Sequence, residues 1–322
     1  MGDVPEPNPA HHLLDVLDLR TVPDAGPDTF EGDSLPHPWG RVFGGQVLAQ
    51  ALLAGQRSLP DDVEPGKAAR ALHSMHGYFL RPGDPNQVIT FGVERLRDGR
   101  SFSARRIQAL QGPPDAQLPI FSCIASFQET AAGVDHQIPM PDVPGPETLP
   151  SLAERYAGSD DPDSKWWVRR RPIDVRHLSE PLDLAAPQGR AAQQAVWMRA
   201  FGELPDDPGL HAAILAYASD FTILEPVLRR HGLSWSLPGL RVASLDHAMW
   251  WHRPARADQW LLYVEESPSA SAARGLSLGR IYTRDGQLVC SVAQEGMVRV
   301  PAQQDGDPGA SAPGLVTRAG GE

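Results

Sequence analysis

The sequence predicts an α+β protein made of two tandem halves, each with one long helix and a curling antiparallel sheet. Three observations carry this. Regions 10–130 and 166–300 resemble one another along their length, each holds one apolar run at helical period, and each follows that run with segments of alternating polarity.

In chain order, GGQVLAQALLAGQRSL, from Gly44, spaces Val47, Leu48, Ala51, Leu52 and Leu59 at helical intervals. The aromatic-rich HGYFLRP (76–82), then VITFGVERL, RSFSARRI (100–107) and IFSCIASFQE (120–129), read as antiparallel strands. Residues 131–165 are crowded with Pro and Gly and keep neither period, which marks a linker. HAAILAYASDFTIL predicts the second helix, which Pro226 ends at or before Glu225. AMWWHRP (248–254), WLLYVEES and GRIYTRDGQLVCSVAQ are the second set of strands, with Arg284, Asp285 and Gly286 in a tight hairpin turn. Counterparts are offset by 172 residues from Arg81 and Pro82 to Arg253 and Pro254, and by 174 from RSFSARRI to RGLSLGRI (274–281). The plan is therefore a first half over 1–130, a linker over 131–165, a second half over 166–300, and a disordered tail over 301–322.

Forty acidic residues against 29 basic ones leave a net charge of −11, with no long Lys/Arg run, so nucleic acid and anionic membrane are poor partners. Cys123 and Cys290 are too few for a disulfide framework or a paired zinc motif, and a reducing, cytoplasmic setting is expected. The opening MGDVPEPNPAHHLLDVLDL has acids and prolines where a signal peptide needs a basic start and an apolar centre. With no apolar stretch of about 18 residues, membrane insertion is not expected.

One acid stands out. In the run AAILAYASDFTIL (212–224), helical spacing sets Asp220 on the side of Ala213, Ala216, Tyr217, Ile223 and Leu224, away from water. Superposing Gly55 on Ser219 puts Gln56 opposite Asp220, so the carboxylate belongs to one copy only. It also lies at the C-terminal end of its predicted helix, the unfavourable end for a negative charge. Alternation through LRVASLDHAMWW (240–251) puts Ser244 on a largely apolar face with Leu240, Val242, Asp246, Ala248 and Trp250. Gln294 continues the face of Leu288, Cys290 and Val292. Each polar residue alone is ordinarily structural; together, a carboxylate, a hydroxyl and a carboxamide can form one hydrogen-bonded cluster.

Other motifs carry less. Ser74 lies between His73 and His76, but strand neighbours point to opposite faces, which argues against a Ser/His triad or a metal pair. His247 and His252 read as core or surface residues. No G-x-S-x-G elbow, phosphate-binding loop or dinucleotide fingerprint is present.

RVFGGQVLAQALLAG, FLRPGDPNQVITFGVERLRDGRSFSARRIQALQ, YASDFTIL, VASLDHAMWWHRP and SVAQEGMVR resemble, in collinear order over about residues 12–300, the acyl-CoA thioesterase II family. The resemblance implies a double hotdog fold, hydrolysis of fatty acyl-CoA to fatty acid and CoA, no metal or redox cofactor, and assembly as a homodimer or homotetramer. It also implies a catalytic trio of Asp, Thr and Gln, whose motifs fall on Asp220, Ser244 and Gln294. Ser244 departs from the family Thr, keeping the hydroxyl and losing a methyl that restrains its rotamer. Tyr217, Met249 and Trp250 are candidates for the lining of an acyl slot but read more readily as core, and WWVRRRP (166–172) is the densest basic site for CoA phosphates and equally a solvated loop face. A non-catalytic acyl-CoA-binding or sensing protein is the alternative, to which the Ser244 departure points. Enoyl-CoA hydration lacks a suitably placed His/Asp pair.

Overall fold

The computed structural model describes residues 9–35, 40–60, 69–158, 171–182, 187 and 189–301. A short helix α1 (Pro9–Leu17) and a ribbon of β1 (Arg20–Thr21) and β2 (Thr29–Gly32) precede the first apolar run, which forms α2 (Gly44–Arg57). Around α2 curl β3 (Ala71–Phe79), β4 (Ile89–Asp98), β5 (Phe102–Gln111) and β6 (Leu118–Gln128). After a single helical turn, α3 (Leu152–Arg155), come β7 (Ile173–His177) and β8 (Gln193–Ala200), and then the second apolar run as α4 (Pro208–Ser219). A short α5 (Glu225–His231) leads to β9 (Arg241–Ser244), β10 (Asp246–Trp251), β11 (Leu261–Ser271), β12 (Arg274–Thr283) and β13 (Leu288–Arg299).

All these strands join one antiparallel sheet in the order β1-β2-β4-β5-β6-β3-β10-β13-β12-β11-β8-β7, with β9 also on β13. The halves meet where β3 pairs with β10, and His76 lies directly opposite Ala248, its own counterpart in the repeat. A residue facing its counterpart marks a two-fold axis, so the contact has the form of an isologous dimer interface within one chain.

Helices α2 and α4 run antiparallel inside the sheet, with Gly45 against the Tyr217 carbonyl at one end and Gly209 against Gln56 at the other. A side chain at either glycine would collide with its neighbour, so both glycines permit the close approach. Leu48 and Ile214 are fully buried between helix and sheet; each contributes about 1.5–3 kcal/mol. His211 and every residue from Ala213 to Ser219 are buried, because α4 has sheet on one side and α2 on the other.

Two expectations change. The second helix ends at Ser219, and Pro226 lies in the first turn of α5 rather than ending α4; a proline is accepted there because first-turn N–H groups have no intrahelical acceptor. The expected linker, as far as it is described, lies along the outer face of the second half. Gln137 donates to the Gly286 carbonyl (2.7 Å) and accepts from the Leu288 N–H (2.9 Å), and Trp197 Nε1 donates to the Pro144 carbonyl (2.8 Å). Met140, Val143 and Leu149 cover Trp197, Leu262, Tyr282 and Leu288. Residues 159–165 of the linker and 302–322 of the tail lie outside the described residues.

Candidate active site

Asp220 caps the C-terminus of α4, yet it lies against the N-terminus of α2. A Cβ on Gly44 would stand 2.6 Å from Asp220 Oδ2 and 3.1 Å from the Phe79 ring, so glycine is what lets the carboxylate in. The N-cap of α2 is Phe43, which offers no side-chain acceptor, and the Asp220 carboxylate stands at that end instead, with the nearby Gly45 N–H favouring its charged form. The charge that is misplaced on its own helix is well placed on its neighbour's, at the positive end of that dipole.

Ser244 reaches the same carboxylate through a break in its strand. On β13, Ser244 faces Gly296 and Ala248 faces Ala293, so four steps along one strand match three along the other. The extra residue is a β-bulge at Leu245, whose N–H donates to Glu295 O (2.9 Å), while the Glu295 N–H donates to Asp246 Oδ1 (2.8 Å). The bulge reverses the faces beyond it. The unbroken alternation expected from Leu240 to Trp250 therefore fails: His247, Met249 and Trp251 point inward, and Trp250 is 37% exposed on the outer face.

The three site residues expected from the sequence come together. Ser244 Oγ donates to Asp220 Oδ1 (3.2 Å), and Gln294 Nε2 donates to Asp220 Oδ1 (3.0 Å) and to Ser244 Oγ (2.9 Å). Behind them lies a fourth residue, His247, fully buried, with Nδ1 on Gln294 Oε1 and Nε2 3.1 Å from Ser219 Oγ. Burial pushes the His247 pKa down, against the opposing pull of Asp220, so the ring is neutral. Its one N–H then donates to the Gln294 oxygen, which turns the Gln294 NH2 towards Asp220 and Ser244. Sequence reading took His247 for a core or surface residue; its alternation with Met249 and Trp251 was the available signal. For Asp220, burial raises the pKa above 3.8, opposed by His247, by hydrogen bonds from Gln294 and Ser244, and by the Gly45 N–H.

The carboxylate faces a cavity of about 400 Å³, lined by Val42, Phe79 and Ile120 from the first half and Phe221 and Leu224 from the second. Tyr217 and Met249 are core residues, the more ordinary of their two readings, and Trp250 packs edge-on against His76 (5.0 Å) on the outer face. Of the basic run 166–172, residues 166–170 lie outside the described residues, and Arg171 lines the cavity with its guanidinium 4.0 Å over the Phe221 ring. Arg41 and Arg81 line it on the first-half side. His73 is engaged by Ser126 (2.8 Å), away from His76 and its Trp250 contact, so the LHSMHGY residues do not converge.

Comparison with known proteins gives a consistent picture. A family model described as acyl-CoA thioesterase matches residues 174–297, and one described as the acyl-CoA thioesterase N-terminal domain matches residues 35–128. The chain is 37% identical over 317 residues to human acyl-coenzyme A thioesterase 8, covering 94% of this chain and 93% of that one. Against acyl-CoA thioesterase 2 of Haemophilus influenzae it is 36% identical, with 90% and 97% covered. A crystal structure of an acyl-CoA thioesterase II from Mycobacterium marinum superposes with a TM-score of 0.70 at 40% identity, covering 90% of this chain and 99% of that one. An Alicyclobacillus acidocaldarius protein with a hotdog fold superposes with a TM-score of 0.71 at 19% identity, a likeness of fold alone.

Proposed function

Because the chain belongs to the acyl-CoA thioesterase family and is a thioester hydrolase of hotdog fold, we propose that it cleaves fatty acyl-CoA to fatty acid and CoA with Asp220, Ser244 and Gln294 as catalytic residues. The observation that carries this is the closed triangle of hydrogen bonds around Asp220 at the wall of an apolar cavity.

Thioester hydrolysis needs an activated water and a stabilised oxyanion, and little help at departure, since a cysteine-like thiol has a pKa of about 8.5. Asp220, with its pKa raised by burial, is a stronger base than an exposed aspartate. It takes a proton from a water held at Ser244, with Gln294 fixing both Ser244 and the carboxylate from behind, and the oxygen adds to the thioester carbon. The positive end of α2 stabilises the resulting oxyanion. Collapse breaks the C–S bond, and the thiolate recovers the proton from Asp220.

Thiol release from acyl-CoAs of graded chain length tests this. Asp220→Asn is expected to lower kcat by about 10²–10⁴-fold, with Gln294→Ala in the same direction. Turnover that survives Asp220→Asn would sink the mechanism, and tight binding without turnover by the wild type would favour a sensor. The division into halves at 131–165, a cytoplasmic setting and assembly as a homodimer or homotetramer belong to the same proposal. Among the described residues, no helix is long and apolar enough to cross a membrane.

A further inference from the structure

The cavity beside Asp220 has a second polar wall. His177, at the end of β7, and Glu225, at the start of α5, both line it, and they are only 3% and 5% exposed. His177 Nε2 stands 3.8 Å from Glu225 Oε2, and Arg229 stands 3.6 Å from the same oxygen, both beyond hydrogen-bonding distance. Among the described residues, neither ring nitrogen of His177 nor Glu225 Oε2 has a hydrogen-bond partner. The buried polar groups next to them are matched. Gln194 and Thr222 donate to Glu265 (2.6 and 2.9 Å), and Arg229 donates to Gln194 (2.5 Å) and to the Glu180 carbonyl (2.7 Å). Unmatched polar atoms at such depth are costly and uncommon in a settled core, and these belong to two side chains that line the cavity.

We propose that His177 and Glu225 form a binding subsite for a hydroxyl group carried on the acyl chain, several bonds from the thioester. This rests on the thioesterase reading and names its substrate class. One oxygen about 2.8 Å from each atom bridges a 3.8 Å gap. A hydroxyl there donates to Glu225 Oε2 and accepts from the His177 N–H, whereas a methylene does neither and a carboxylate is repelled by Glu225. Glu225 is an acceptor because, although burial raises its pKa, His177, Arg229 and Gln194 together hold it below the ordinary value.

The pair serves the acyl end rather than CoA because of where exposure lies. Arg81 is exposed and Leu80 is 47% exposed, which makes their side the rim suited to a hydrated polyanion, while His177 and Glu225 are enclosed. Glu225 follows Asp220 by five residues of coiled backbone, roughly 7–8 Å at ~1.5 Å per residue, which puts the subsite beyond the first carbons of a bound chain.

The test uses chain-matched saturated acyl-CoAs with and without one hydroxyl, moved along the chain carbon by carbon. The ratio of kcat/KM, hydroxylated over plain, is read for wild type, Glu225→Gln and His177→Phe. The wild-type ratio is expected to peak at one hydroxyl position at about 10- to 100-fold, to shrink in Glu225→Gln, and to fall to about one in His177→Phe. A ratio taken within one variant cancels any loss of folded enzyme, and Glu225→Gln keeps the shape of the side chain. A wild-type ratio near one at every position, the result if only water occupies the subsite, overturns the proposal, as does a ratio unchanged in both variants. Absence of turnover with every substrate would instead defeat the thioesterase reading, and the same preference read as Kd by calorimetry would still decide the subsite.

Discussion

A carboxylate at the C-terminus of a helix is opposed by that helix, and Asp220 is held there by another one. Its position in the sequence was legible, and so was its absence from the first half, where Gln56 stands in the matching place. The dipole of α2 was not, because no local pattern says which helix end will face which. The raised pKa has a cost with a definite sign. Folded Asp220 keeps its proton above pH 3.8, where the unfolded chain has released it, so stability falls as pH rises through the folded pKa. Asp220→Asn is therefore expected to raise the melting temperature at neutral pH while removing activity, and a lower melting temperature would count against a strained carboxylate. His247 acts one step back, by orienting the Gln294 amide. His247→Leu is expected to lower kcat by roughly 10- to 100-fold with little change in KM, since it touches no substrate. A KM effect alone would mean that the residue only supports the cavity.

At the scale of elements, period was a reliable guide wherever an element was unbroken. Both central helices, the second stopping short at Ser219, and the β3–β6 and β10–β13 strands appear where apolar spacing puts them, and the Arg284–Gly286 turn closes between β12 and β13. The failures are at interruptions. The bulge at Leu245 flips everything after it, and it depends on β13 and on the Asp246 side chain, both distant from any local pattern. Ser244 still points to Asp220, because it lies before the break. Asp246→Ala leaves the Glu295 N–H without its acceptor and is expected to destabilise the fold by about 1–3 kcal/mol, whereas Asp246→Asn, which keeps an acceptor oxygen, should be close to wild type in denaturant melts. Equal losses in both would mean that the charge, rather than the hydrogen bond, sets the bulge.

For the whole molecule, the two-fold arrangement makes the difference between its two ends informative. The N-terminus of α2 has no side-chain cap and faces Asp220; the N-terminus of α4 is closed by Asp207, which accepts from the N–H groups of Gly209 (2.8 Å) and Leu210 (3.3 Å), and it faces Gln56. A helix end with its donors already taken has no positive end to offer an oxyanion, so the duplicated scaffold carries one such site. The second half also buries Glu265, whose pKa burial lifts to about 8 despite hydrogen bonds from Gln194 and Thr222. The folded protein holds that proton where the unfolded chain, with the ordinary glutamate value of 4.5, has lost it, so stability declines as pH rises from 4.5 to about 8. Glu265→Gln should flatten this stretch of the melting-temperature profile, and an unaltered slope would rule Glu265 out as its source.

The meeting of His76 with Ala248 also sets an order of events at the ribosome. When β3 emerges, its partner on one side, β6, follows within about 50 residues, but β10 lies 172 residues further on. At about 5–20 residues per second, the nascent first half waits roughly 9–34 s with an open strand edge built to recognise a near copy of itself. Neighbouring nascent chains on one message present that same edge to one another, so crowded synthesis is a condition that exposes this protein to mispairing.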